Sequence, residues 1–200
     1  MSNTTACTDM LRPPVAARCG RLGGQSPESD VHRGEIDRRL APIWHGGSYG
    51  TLDEGQIQRG ISERLGLSMT EVQAFMEDLW REYLGTPNTE LVAFFRGLRP
   101  AFRTAMLSNS FVGAREREQA AYQFEDLCEF IVYSHEVGLY KPDPEIYALT
   151  VERLLLSPQE VVFVDDRADN VEAAIAFGLH AVQFESNAQT IAALSQLLRL

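Results

Sequence analysis

Lysine is almost absent from this chain. Lys141 stands alone beside seventeen arginines in 200 residues, so that position becomes a candidate for work a guanidinium does not do. Cysteine is scarce as well. Cys7, Cys19 and Cys128 are odd in number and widely spaced, which excludes a disulfide framework and a C-x-x-C zinc site and leaves reduced thiols. No apolar run approaches membrane-spanning length, and Met1-Ser2-Asn3-Thr4-Thr5 lacks the basic-then-apolar order of a signal. A cytoplasmic protein with no membrane partner is expected. Basic charge is also in deficit, at 18 Lys and Arg against 28 Asp and Glu for a net −10. An acidic body without a clustered basic face excludes nucleic acid as a partner. No G-x-G-x-x-G is present, so a dinucleotide-binding fingerprint is missing.

What remains, 44% hydrophobic and 23% charged, suits one or two compact domains with a sizeable core. Residues 1–50 are punctuated by Gly, Pro, Ser and Arg, with weak apolar periodicity, and read as an irregular, weakly ordered N-terminal segment. Short helical pieces fit only near Glu35–Leu40. From Leu52 the pattern turns helical. Ile57, Ile61 and Leu65 recur at fourfold spacing, and Ser68-Met69-Thr70-Glu71 reads as a capping box before Val72, Phe75, Met76, Leu79, Trp80 and Tyr83. A further helix starts near Asn88 with Leu91, Phe94, Phe95 and Leu98. The aromatic stripe in these helices is core packing, and residues 51–99 form a small helical unit.

After Pro100, short apolar strands alternate with helices. Strands are predicted at 104–107, 130–133, 161–164 and 181–184, with helices at 116–122, 144–154, 168–177 and 188–198. Such alternation argues an α/β fold over residues 100–200, with a parallel sheet covered on both faces.

In open parallel sheets, ligands bind beyond the carboxyl ends of the strands. The polar residues expected there are Ser108-Asn109-Ser110, the loop Gly138-Leu139-Tyr140-Lys141-Pro142-Asp143-Pro144, and Asp165-Asp166 with Asn170 one turn further on. Adjacent carboxylates repel unless a cation or hydrogen-bond donors neutralise them. Hard oxygen ligands in small number suit Mg²⁺, which keeps waters and takes a substrate phosphate into its shell. Lys141 sits in a loop whose two prolines restrict the backbone, and its ammonium suits a phosphate and the charge developing on it. Ser108 and Asn109 offer hydroxyl, amide and backbone donors to phosphate oxygens. Each piece also has a plainer reading: helix caps for Ser108, Asn109 and Asp166, and a surface lysine in a turn for Lys141. The single-lysine argument favours a function for Lys141.

Leu107-Ser108-Asn109, Gly138 to Tyr147, and Val161-Val162-Phe163-Val164-Asp165-Asp166-Arg167-Ala168-Asp169-Asn170-Val171 together resemble the second, third and fourth motifs of the haloacid dehalogenase-like hydrolases. The variety resembled is the sugar-phosphatase group that includes the amino-terminal phosphatase domain of epoxide hydrolases. The resemblance covers about Leu52 to Leu200. It implies a Rossmann-like core, a helical cap over the site, and Mg²⁺-dependent hydrolysis of a small phosphorylated metabolite through an aspartyl-phosphate. By the resemblance, Ser108 and Asn109 bind phosphate, and Lys141 is catalytic, steadying nucleophile and phosphate charge. Asp166 ligates the metal, Asp165 assists, and Asn170 supports the metal shell.

The family's first motif, an apolar strand ending in Asp-x-Asp, has no counterpart before Leu52. Asp9, Asp30 and Asp37 are isolated and follow no apolar run, so the nucleophile is not identified. The central strand of the sheet is expected to be absent, with activity impaired. A non-catalytic phosphate-ligand-binding or regulatory module is the rival reading. Missing the middle strand, the sheet would expose unpaired backbone edges. An N-terminal segment such as Val15-Ala16-Ala17, a second copy of the chain in a homodimer, or a different chain start would then have to fill the gap.

Overall fold

The computed structural model describes residues 5–8 and 27–200, with side chains from Gly34 onward. One five-stranded sheet organises them: β1 (Thr5–Thr8), β2 (Thr104–Ser108), β3 (Phe130–Tyr133), β4 (Val161–Asp165) and β5 (His180–Gln183), in the order β3-β2-β1-β4-β5. Every neighbouring pair is parallel.

Side chains alternate across a strand, and the two faces of this sheet follow that alternation. Met106, Ile131, Val162, Val164 and Val182 face one side, with Leu91, Phe95 and Leu98 of α4 (Thr89–Leu98) and Leu194 and Leu198 of α9 (Asn187–Leu198). Ala105, Leu107, Val132, Val161 and Phe163 face the other. Ile146, Tyr147 and Leu154 of α7 (Pro144–Leu154) and Ala174 of α8 (Ala168–Phe177) cover them. A sheet buried on both faces demands strands that are apolar throughout, which is why β2, β3 and β4 are legible in the sequence.

The central strand is present, and this corrects the expectation that it was absent. Thr5–Thr8 fills the gap, pairing Ala6 with Thr104 and Val162, and Thr8 with Met106 and Val164. Thr-Ala-Cys-Thr lacks the continuous branched apolar run of a buried strand, and so it does not announce itself. The backbone groups that a gap would have left unpaired are paired, which removes the argument for a homodimer formed through that gap. Val15-Ala16-Ala17, named as a substitute strand, lies outside the described residues, as do residues 1–4 and the rest of 9–26 in the N-terminal segment expected to be weakly ordered.

The irregular reading of residues 1–50 is also corrected where α1 (Pro27–Ser48) is described. Its residues Leu40, Ile43 and Trp44 pack with Ile57 and Ile61 of α2 (Glu54–Leu65). The same cluster takes in Val72, Met76, Leu79, Trp80 and Tyr83 of α3 (Met69–Leu84) and Phe111 beyond β2. Pro42, Gly46 and Gly47 disguise this helix in the sequence. Gly47 has a packing reason: a Cβ there would lie 2.1 Å from the Phe111 ring. The helical unit is therefore α1, α2 and α3. The third helix expected in it, α4, belongs to the sheet instead. Capping boxes at Asp53/Gln56 and Ser68/Glu71 open α2 and α3, the second as its sequence foretells. Among the described residues no helix is long and apolar enough to cross a membrane.

Candidate active site

The carboxyl ends of β2 and β4 converge on one buried ion pair. Lys141 Nζ lies 2.7 Å from Asp165 Oδ2, and both side chains are wholly out of solvent. The ammonium also donates to Leu107 O at 2.8 Å and lies 5.4 Å from the Phe163 ring centre. A charge in such a place is tolerated only when paired and hydrogen-bonded. Asp165 is neutralised from its other oxygen as well, where Oδ1 accepts from Arg167 N at 2.9 Å and Asn170 Nδ2 at 3.0 Å. Three of its four lone-pair positions are thereby used. Asp165 thus acts as a fixed counter-charge to Lys141.

Asn109 has a task besides the one its motif suggests. Its Oδ1 accepts from Lys141 N at 2.8 Å, and its Nδ2 donates to Lys141 O at 2.9 Å. The amide thus holds the backbone on both sides of the Lys141 side chain, leaving its own backbone N–H and one amide hydrogen for other partners. Ser108 ends β2 beside it, half-buried.

Asp166 is half-buried and starts the turn into α8, where Gln183 Nε2 donates to its backbone oxygen at 3.2 Å. Asn170, in the first turn of α8, is 1% exposed. Its backbone oxygen accepts from Tyr147 Oη at 2.9 Å, while its side-chain Oδ1 is buried with no hydrogen-bond partner among the described residues. A buried acceptor without a donor costs stability unless something satisfies it. An orphaned amide oxygen near a carboxylate is an all-oxygen, hard donor set, which fits one side of a Mg²⁺ site and its bound waters. Among the described residues no group of three or more His, Cys, Asp or Glu could hold a metal unaided.

A second cluster adjoins the β2 end and was not foreseen. Ser110 Oγ lies 2.7 Å from His135 Nδ1, while Ser134 Oγ donates to Ser48 O at 3.0 Å and accepts from Ser110 N at 2.9 Å. Ser134 and His135 open the one-turn helix α6 (Ser134–Val137). Burial holds the His135 imidazole below its ordinary value, against the opposing pull of Glu136 and Glu116. Together with Val112 N donating to Gly47 O at 3.0 Å and the Tyr49–Tyr140 ring stack at 5.5 Å, these contacts pin the end of α1 to the loops of the core. The only sequence signal was Ser110 itself, the last member of the Ser-Asn-Ser tripeptide. Cys128 is a buried thiol whose pKa burial pushes up to about 11, in keeping with an unreactive cysteine.

A parallel sheet in this order, with a serine, a lysine and paired aspartates at its carboxyl edge, is the arrangement that the resemblance to the haloacid dehalogenase-like hydrolases implies. The family model of the haloacid dehalogenase-like hydrolases matches residues 31–178, and the chain belongs to that family. It is 31% identical over 181 residues to phosphatase MT3486 of Mycobacterium tuberculosis, covering 82% of this chain and 81% of that one. It is 23% identical over 165 residues to D-ribitol-5-phosphate phosphatase of Bacteroides thetaiotaomicron, with 77% and 79% covered. Against bifunctional epoxide hydrolase 2 of Rattus norvegicus it is 24% identical over 149 residues, 70% of this chain but 26% of that protein. In fold it is similar to a family enzyme of B. thetaiotaomicron crystallised with magnesium and inorganic phosphate, at a TM-score of 0.68 and 20% identity, covering 92% of this chain and 96% of that one.

Proposed function

We propose that this chain binds a small phosphomonoester at the carboxyl ends of β1, β2 and β4 and hydrolyses it slowly with Mg²⁺. The observation that carries the reading is the buried Lys141–Asp165 pair, gripped by Asn109, which fixes a positive charge where β2 and β4 end. Ser108 and the backbone N–H groups after it bind phosphate oxygens, and Lys141 answers the negative charge that develops on the phosphoryl group. Asp166 and Asn170 would hold Mg²⁺, which when bound neutralises phosphate oxygens. The magnesium and phosphate held by the B. thetaiotaomicron enzyme support the choice of ligands, as do the phosphatase names of two relatives. The composition supports a cytoplasmic setting.

Chain order supplies a candidate nucleophile. Asp9 is the residue directly after β1, although it lies outside the described residues, and β1 runs between the strands that end in Ser108 and Asp165. Asp9-Met10-Leu11 departs from Asp-x-Asp at its third position. Leucine cannot serve as general acid or base, a role worth roughly 10²–10⁴-fold in rate. That departure also favours the second reading, a module that keeps the pocket for phosphate ligands without turnover.

Magnesium-dependent release of phosphate from an aryl phosphate, followed in wild type and Asp9→Asn, separates the readings. Slow turnover abolished by Asp9→Asn supports hydrolysis. Turnover that survives the substitution removes Asp9 as nucleophile, and no turnover with intact binding of inorganic phosphate favours the binding module.

A further inference from the structure

Tyr147 is wholly buried, and its hydroxyl donates to Asn170 O at 2.9 Å. Inside an α-helix that carbonyl already has a partner, the N–H four residues further on, and α8 runs on to Phe177 to supply it. Closing the helix therefore does not require the phenol. The bond is an added restraint, and it crosses from α7 to α8. It also completes a two-point hold on Asn170. Tyr147 grips the backbone, while Asp165 Oδ1 accepts from Asn170 Nδ2 at 3.0 Å and so fixes the plane of the amide. Together they set the direction of the buried Oδ1, which has no hydrogen-bond partner among the described residues.

The ring of Tyr147 leads back to Lys141. It lies edge to face on Phe163 with ring centres 5.6 Å apart, and Lys141 Nζ stands 5.4 Å from the centre of that same Phe163 ring. Tyr147 also follows Lys141 closely in the chain, in the helix that Pro144 opens. One short segment thus carries both the fixed cation and the hydroxyl that braces Asn170. Resting on the reading above that Asp166 and Asn170 would hold Mg²⁺, we propose that Tyr147 is a positioning residue for that site. Its hydroxyl holds the Asn170 backbone so that the amide oxygen is aimed at the ion, and it makes metal affinity depend on the lysine segment. Groups that orient the ligands of a metal carry roughly 10–100-fold of its affinity. A tyrosine that only packs would instead change stability and leave the ion untouched.

Mn²⁺ binding is followed by paramagnetic broadening in the full chain, in Tyr147→Phe, in Asn170→Ala, in the double variant and in Thr150→Val. Thr150 lies on the same helix, 3% exposed, and its hydroxyl donates to Ile146 O at 2.7 Å. Thr150→Val therefore removes a buried hydroxyl of α7 that serves its own helix. Tyr147→Phe keeps the ring and is expected to weaken Mn²⁺ binding about tenfold. The double variant is expected to bind no more weakly than Asn170→Ala, because both substitutions undo one arrangement, and Thr150→Val to bind as the unaltered chain does. Unchanged affinity in Tyr147→Phe beside a loss in Asn170→Ala overturns the positioning role and leaves the metal reading standing. So does a loss that Thr150→Val matches, or losses that simply multiply in the double variant. In the unaltered chain, saturating Mn²⁺ is expected to slow amide exchange across α7 more than across α9 on the other face of the sheet. Equal slowing overturns the link even where Tyr147→Phe does not fold. An unaltered chain that binds no Mn²⁺, or an Asn170→Ala variant that binds it equally well, fells the metal reading itself and the positioning role with it.

Discussion

Asn109 holds Lys141 by the backbone rather than by the side chain, accepting from its N–H and donating to its C=O. A motif residue expected to touch phosphate thereby also braces the lysine loop. Asn109→Ala removes both bonds and leaves a partly buried peptide unmatched, at a cost of about 1–3 kcal/mol. Inorganic phosphate binding should weaken in the same variant, read by calorimetry beside a urea melt. Unchanged melts and phosphate affinity together would show that the Lys141 loop holds itself.

Lys141→Met should be more damaging to folding than any surface substitution. It strands the wholly buried Asp165 carboxylate, and breaking a buried pair from one side costs about 3–5 kcal/mol. Adding Asp165→Asn to Lys141→Met should recover part of the loss, since the two sites share one interaction. Strictly additive losses in denaturant unfolding would contradict the pairing.

Metal binding should depend on Asp166 more than on Asp165. Asn170→Ala is expected to weaken Mn²⁺ binding roughly tenfold, as loss of a supporting residue does, and Asp166→Asn at least as much. Paramagnetic broadening measures both. Equal affinity in wild type and Asp166→Asn would place the ion elsewhere.

The His135 cluster carries a pH signature. Its imidazole is held below the ordinary 6.5 by burial, so the unfolded chain binds the proton first as pH falls. Stability from this group is complete above about 6.5 and declines as pH drops from there toward the lowered folded value. Thermal melts of wild type should therefore fall more steeply below that pH than those of His135→Gln. Parallel curves would show that His135 is protonated at no cost in the fold.

Much of this architecture was legible because burial on both faces leaves a mark. Val161 to Val164 and Phe130 to Tyr133 are continuous apolar runs that read as buried strands, and the residues just after such runs mark the site. The central strand was not legible, since Thr5-Ala6-Cys7-Thr8 carries almost no apolar volume and is specified by its neighbours' unpaired edges. Helix α1 escaped for another reason. Its glycines and proline contradict local propensity, and the approach of Gly46 to Leu52 and of Gly47 to Phe111 explains why two of them are there. Candidate site residues could be named by type and position, but their partnerships could not. No sequence pattern distinguishes an asparagine that binds phosphate from one that braces a lysine.

The solitary lysine has a chemical consequence. Apart from the chain's α-amino group, Lys141 is the one primary amine in the chain, and its ammonium is sealed from solvent. Acylating reagents therefore reach it only when this corner of the sheet opens. Their rate of attack on the native protein becomes a clock for the breathing of the site itself, read by peptide mass as a label on Lys141.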